Sequence, residues 1–428
     1  MEEEEGRWAN PSNDILALIV NRLHTQSDLC RFRSICRSWR SYASSSPDPQ
    51  PLFPLSLPSL HPNSRSFSLS PTLVYILSLY PNPTPDNPSE NVWLVKVSET
   101  GENQWALLNP LTKHKLYFPS RVSWNRINLL GFGNCEVGRS YKLQLVVGDG
   151  VEGAFNFEEF SPSIALRKVA VKTSDEFVVL VLYGYGEIAL WKSGDENWKI
   201  IETGQKDEKE KKQDFDDVIC FNQKFYAVDR RGRLAAIDPM SFELDEVIPA
   251  MEDCNGQYTY LVESNFRLHL VNKSVNPRPV TYYDEEEEEL VVDNASVSKP
   301  LGFKVFVFDE REKCWERVNS LGDRILFVSR DAAFSVCAKD LGWSEGNCMY
   351  FEGLTGYDDE ADMGFGLNAG VYRLDDPAIS IFSSLTDPLT KIFWPPSCWF
   401  LQNEDHMDCE MQVESLIVRD EVFSPLLF

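Results

Sequence analysis

The chain is expected to be mainly β, a small α-helical domain at the N-terminus followed by a β-propeller, with six blades favoured and seven possible. Three observations carry this expectation. Short β-branched or aromatic runs alternate with tight polar turns from Val92 onward. Four of the resulting hairpins begin near residues 188, 225, 260 and 303, at steps of 37, 35 and 43, a period that suits propeller blades. Apolar residues at helical spacing are confined to Trp8–Tyr42, and long helical windows are absent elsewhere, which disfavours a sheet wound with helices.

Two segments of that N-terminal stretch are predicted helices. Ile15, Leu16, Ile19, Val20 and Leu23 form one stripe; Leu29, Phe32, Ile35, Cys36 and Trp39 form another. Ser27 and Asp28 stand where a helix N-terminus wants a capping oxygen and a negative charge. Arg31, Arg33, Arg37 and Arg40 read as a solvated basic face, because the apolar residues between them are spaced for burial. So short a chain keeps much of its surface wet and cannot bury both stripes within itself. At roughly 1.5–3 kcal/mol per large apolar side chain, the stripes call for a further covering surface. Either the rest of this chain or another protein supplies it, and the pattern alone leaves both open.

The run Leu29-Cys30-Arg31-Phe32-Arg33-Ser34-Ile35-Cys36-Arg37-Ser38-Trp39-Arg40 resembles the second half of an F-box, where an apolar residue, a spacer, Val/Ile-Cys, two residues and Trp-Arg follow in order. Asp14-Ile15-Leu16 and Ile19 through Leu23 resemble its first half. One departure stands out: Asn10-Pro11-Ser12-Asn13-Asp14 lacks the leucine of the family's opening Leu-Pro pair. F-boxes dock on a Skp-type adaptor, which links them to a cullin scaffold. The resemblance therefore implies an adaptor-binding face made of Pro11, Ile15, Leu16, Ile19, Leu23, Leu29, Phe32, Ile35, Cys36 and Trp39.

The helical domain is placed at 7–43, a Ser/Pro-rich linker at 44–64, the propeller at 65–402 and an acidic tail at 403–428. Leu73-Val74-Tyr75-Ile76-Leu77 reads as a buried strand. Val92–Val97 precedes a turn at Glu102-Asn103 and Trp105; Ile188–Trp191 precedes one at Gly194–Asn197 and Trp198. Phe225–Val228 turns at Arg231-Gly232 into Leu234–Ile237. Leu261-Val262 turns at Ser264-Asn265 into Arg267–Val271, and Val305–Phe308 turns at Glu310-Arg311-Glu312 before Trp315. The charged run Lys206–Lys212 and the acidic run Asp284–Glu289 are read as insertions. The unbroken glutamates suit a solvated, mobile loop, since a calcium site needs spaced ligands and a glycine turn.

Several segments are similar to the plant KIB-type propeller domain: Ala106-Leu107-Leu108-Asn109-Pro110-Leu111-Thr112, Phe215-Asp216-Asp217-Val218-Ile219 with Phe225–Asp229, Tyr260–Ser264, Ser320–Phe327, Gly346-Asn347-Cys348-Met349-Tyr350-Phe351 and Phe393-Trp394-Pro395-Pro396. They occur in order over most of the chain. Together with the N-terminal motif they resemble the plant F-box proteins that carry a KIB-type β-propeller.

A formal net charge of −25 repels phosphate backbones and anionic lipid, so neither nucleic acid nor membrane is an expected partner. Ten cysteines without a Cys-x-x-Cys pair fit a reducing compartment. Met1-Glu2-Glu3-Glu4-Glu5 is unlike a basic signal-peptide start, so the protein is expected in the nucleus, the cytoplasm or both, and not secreted. The sequons at Asn272 and Asn294 are then chance. Five histidines and no nucleophile, metalloprotease, phosphate-loop or dinucleotide motif argue against an enzyme. Cys398, His406 and Cys409 do not make a convincing zinc set, and His269, between Leu268 and Leu270, is read as structural. No metal or cofactor is expected. The reading is a non-catalytic substrate-recognition subunit of an SCF-type ubiquitin ligase, with a target protein held by the propeller. The competing reading is a propeller scaffold whose N-terminal helices pack on its own sheets.

Overall fold

The computed structural model describes residues 11–20, 32–33, 35–45, 53–60, 66–79, 92–101, 104–111, 115–116, 132–146, 166–173, 176–201, 214–276, 280–284, 289–293, 299–330, 332–352, 369–381 and 391–394. Among the described residues, α1 (Asn13–Val20) and α2 (Arg37–Ser45) precede five β-sheets arranged as blades.

Blade 1 holds β1 (Leu55–Leu57), β2 (Phe67–Leu79), β3 (Val92–Gly101), β4 (Gln104–Leu108) and β5 (Phe132–Leu145). One edge of the long β2 carries β1 and then β3, and β5 lies along the other. Blade 2 is β6 (Leu166–Lys172), β7 (Val178–Tyr183), β8 (Glu187–Lys192) and β9 (Lys199–Ile201), and blade 3 is β10 (Phe215–Phe221), β11 (Lys224–Asp229), β12 (Leu234–Ile237) and β13 (Leu244–Ile248). Both are simple antiparallel meanders. Blade 4 runs β14 (Tyr258–Ser264), β15 (Arg267–Asn276), β18 (Lys299–Asp309) and β19 (Cys314–Val318), interrupted after β15 by a separate ribbon of β16 (Val280–Asp284) and β17 (Glu289–Asp293). Blade 5 is ordered β21 (Ala333–Cys337), β20 (Arg324–Val328), β22 (Cys348–Glu352), β23 (Ala369–Arg373), β24 (Ile379–Ile381), with β20 and β22 parallel.

The innermost strands β5, β6, β10, β14 and β21 touch in that order, and β21 returns to β5. The ring is closed by five apolar interfaces, each shared by two neighbouring blades. β7 lies in the middle of blade 2 and is buried on both faces, which is why Val178–Tyr183 is a continuous apolar run with no alternation. Phe327, stacked between Phe334 and Tyr350 at centroid distances of 4.8 and 5.0 Å, seals blade 5 against Val74, Ile76 and Leu94 of blade 1.

The tryptophan that recurs near the outer strand joins neighbouring blades. Trp198 donates its indole N–H to the Pro58 carbonyl at 2.8 Å, and Trp315 donates to Gly232 at 2.8 Å. Trp93 donates to Phe393 in a 3-10 turn at Lys391–Phe393, so the Phe-Trp-Pro-Pro segment returns to blade 1. The Asn-Pro-Leu segment is a side-chain-closed turn in which Asn109 Oδ1 accepts the Leu111 N–H at 2.9 Å, placing Leu111 in the closing interface. Gly346 lies so close to the Asp323 backbone that a Cβ there would collide with it.

The expected six or seven blades are corrected to five. The hairpins near 260 and 303 lie in one blade, on β14 and β18, because the β16–β17 ribbon spreads blade 4 over the length of more than one repeat. Blade 1 likewise takes five strands and draws its innermost strand from the end of its own sequence. The acidic run falls within this inserted ribbon: Asp284 and Glu289 are its last paired position, and 285–288, on which the loop reading falls, lie outside the described residues. Lys206–Lys212 also lies outside them.

Candidate functional site

Leu16 on α1, Phe32 and Trp39 form a small core of their own, with Ile19, Val20, Cys36 and Tyr42 packed around it. The Phe32 and Trp39 rings lie 4.6 Å apart. All of these residues belong to the hairpin; among the described residues, no propeller side chain enters the cluster. The second helical segment departs from the expected Leu29–Trp39. Residues 32, 33 and 35 are helical, the helix breaks at Cys36, and α2 continues to Ser45. Arg40 Nε donates to the Arg33 carbonyl across that break at 3.0 Å.

The ten residues of the expected docking face therefore separate. Leu16, Phe32 and Trp39 point inward and Pro11, Ile19 and Cys36 are half-buried. Ile15 and Ile35 face out, 42% and 56% exposed. Leu23 and Leu29, like the capping pair Ser27 and Asp28, lie outside the described residues. Periodicity places a residue on a face of its helix; which body covers that face depends on how the two helices cross.

The second place of interest is the propeller axis, where the five innermost strands line a cavity of about 540 Å³. Its wall is knitted by polar groups from different blades. Asp217 on β10 pairs with Lys168 of β6 at 2.6 Å and accepts the Leu261 N–H of β14 at 2.7 Å, and its other oxygen takes the Val218 N–H. One buried carboxylate thus joins blades 2, 3 and 4. Across the axis Ser264 and Ser335 share a hydrogen bond of 2.8 Å, and Arg324 Nε donates to Ser335 Oγ at 2.9 Å. Beside Asp217, burial pushes the Asp216 carboxyl up, against the pull of Arg230 and Arg167. Burial likewise pushes Glu263 up and holds His269 down, and His269 Nδ1 lies 3.1 Å from the Arg267 carbonyl, in keeping with a structural role.

A groove of about 330 Å³ adjoins the axis, and Phe266 stands in the wall of both hollows. Phe266 shares a two-residue loop with Asn265 between β14 and β15, both at positive φ, 59° and 51°. The sequence offered no sign that these residues gather. Asp216-Asp217 was visible as an acidic pair inside an apolar strand, a signal for buried charge, but its partners lie some 40 to 50 residues away in either direction. The thiol and imidazole set Cys398, His406 and Cys409 lies outside the described residues.

A hairpin with its own minimal core and an outward apolar rim, followed by a closed β-propeller, defines a two-module protein. Comparison with known proteins makes the class specific. Residues 12–49 match the F-box domain, and residues 78–373 match the KIB1-4 beta-propeller. F-box protein SKIP23 of Arabidopsis thaliana is 30% identical over 94% of this chain and 98% of its own length. F-box protein At2g17036 of the same plant is 28% identical over 94% of this chain and 96% of its own. The chain belongs to the family of F-box proteins with a KIB1-4 beta-propeller.

Proposed function

We propose that this chain is the substrate-recognition subunit of an SCF-type ubiquitin ligase. The F-box docks on a Skp-type adaptor, which links it to a cullin, while the propeller holds a target protein. The observation that carries this reading is the outward placement of Ile15 and Ile35 on a hairpin whose core contains no propeller residue among those described. The scaffold reading needs the opposite, a hairpin core completed by the blades. In this role the chain performs no chemistry. It tethers target lysines near a loaded conjugating enzyme and so raises their effective concentration. The protein works in the nucleus, the cytoplasm or both.

The test is co-purification of the full chain with a Skp-type adaptor. Ile15→Asp combined with Ile35→Asp places two charges in the buried contact and is expected to cost about 2–4 kcal/mol or more of binding, abolishing capture. Leu16→Asp is the wrong probe, because it would destroy the hairpin's own core. Undiminished capture by the double variant, or an altered propeller unfolding transition, would sink the reading.

A further inference from the structure

We propose that Asn255-Gly256 is a latent deamidation site, held shut in the folded chain by the Asn272 side chain and released when the connection between blades 3 and 4 comes loose. It is independent of adaptor and target binding. Asn-Gly occurs once in the sequence. In this pair the asparagine side chain is most open to attack by the next residue's backbone nitrogen, because glycine has no Cβ to hinder the approach. The Gly256 nitrogen gives up its proton and attacks Asn255 Cγ, the side-chain nitrogen leaves as ammonia, and a succinimide ring forms. Water then opens the ring at either carbonyl, leaving an aspartate or a β-linked isoaspartate.

The fold accounts both for the presence of so labile a pair and for its protection. Asn255-Gly256 lies between β13 and β14, where the chain crosses from blade 3 to blade 4. Gly256 is buried against β15, and a Cβ there would collide with the Lys273 carbonyl and the Asn272 side chain. Packing therefore demands the glycine, while Asn255 beside it is exposed. The attacking group is the one the fold ties down. Asn272, fully buried on β15, accepts the Gly256 N–H on Oδ1 at 2.8 Å and donates from Nδ2 to Thr259 Oγ1 at 3.2 Å. Gln257 follows suit: its N–H donates to the Lys273 carbonyl at 2.9 Å, and its Oε1 takes the Val275 N–H at 2.7 Å. On the other side Lys304 Nζ donates to Asn255 Oδ1 at 3.4 Å and to the Asp253 carbonyl at 2.7 Å. While a buried acceptor holds its hydrogen, the Gly256 nitrogen can neither lose its proton to water nor swing onto Cγ, so the reaction draws on the locally opened fraction alone. An isoaspartate lengthens the main chain by one carbon just before Gly256, whose seat against β15 has no room for a shifted backbone, so a chain damaged while open closes poorly.

The test incubates the full-length protein at mildly alkaline pH, folded and in guanidinium chloride, beside a synthetic peptide spanning Met251–Tyr260. Peptide mapping by mass spectrometry reads conversion at Asn255, and isoaspartyl methyltransferase labelling counts the β-linked product. The denatured chain and the peptide should convert at similar rates, and the folded chain roughly tenfold more slowly or slower still. Asn272→Ala, shown to be folded by its melting curve, should convert severalfold faster than the parent, whereas Asn272→Asp keeps the acceptor oxygen and should stay slow. Where Asn272→Ala does not fold, Thr259→Val takes its place, since it frees the other end of the Asn272 amide. A folded parent that converts as fast as the peptide, a denatured chain that spares Asn255, or a folded variant of the clamp no faster than the parent overturns the proposal.

Discussion

Asp217 and Lys273 show what a single charge does inside this ring. Asp217 accepts bonds from three blades, so Asp217→Asn leaves Lys168 buried without its counter-charge and turns a donor toward donors. Breaking a buried pair from one side costs about 3–5 kcal/mol, and we expect a loss of that size in urea unfolding of the full chain. Lys273 lies on β15, its ammonium donating to the Glu352 carbonyl at 3.0 Å and set above the Tyr258 and Phe351 rings. Burial holds it down to about 8, with Glu352 pulling up and Arg330 pushing down. Its folded value lies below its unfolded one, so the unfolded chain binds the extra proton between about pH 8 and 10.5, and stability from this group rises through that window. Lys273→Met should remove that rise, as measured by urea unfolding at stepped pH.

At the scale of the element, the interface between blades 5 and 1 closes the ring, because it is the seam where the first and last blades meet. Phe327 is fully buried there within a stack of three rings. Phe327→Ala should cost about 3–5 kcal/mol and lower the unfolding midpoint, while adaptor capture by the hairpin persists at temperatures where the propeller remains folded. Two segments of this blade, Ser320–Phe327 and Gly346–Phe351, stood out in the sequence by their similarity to the plant KIB-type domain. Their order did not, since nothing local to β20 and β22 announces that they pair in parallel. The recurring tryptophans were read as a repeat mark; their reason is tertiary, an indole N–H that finds its acceptor on the preceding blade.

For the whole molecule, the alkaline limit follows from buried thiols. Burial pushes Cys220 and Cys348 up to about 11 and Cys254 up to about 12. Folded values raised above the unfolded ones give stability that is present below the ordinary thiol range near pH 9 and lost as pH climbs through 11 to 12. These groups oppose Lys273 above pH 9, so the stability maximum on the alkaline side should fall near there and move lower in Lys273→Met. The sequence by itself determined the mainly β class, the helical start with its adaptor-type motif, the family, and most hairpin positions, because alternation, turn residues and helical spacing act over a few neighbouring residues. Only the tertiary structure decided the count of five blades, the split of the hairpin stripe into Leu16, Phe32 and Trp39 inside and Ile15 and Ile35 outside, and the joining of blades 2, 3 and 4 at Asp217. Each of these depends on contacts between residues far apart in the chain, where insertions such as the β16–β17 ribbon break the period and no local pattern records which surfaces meet.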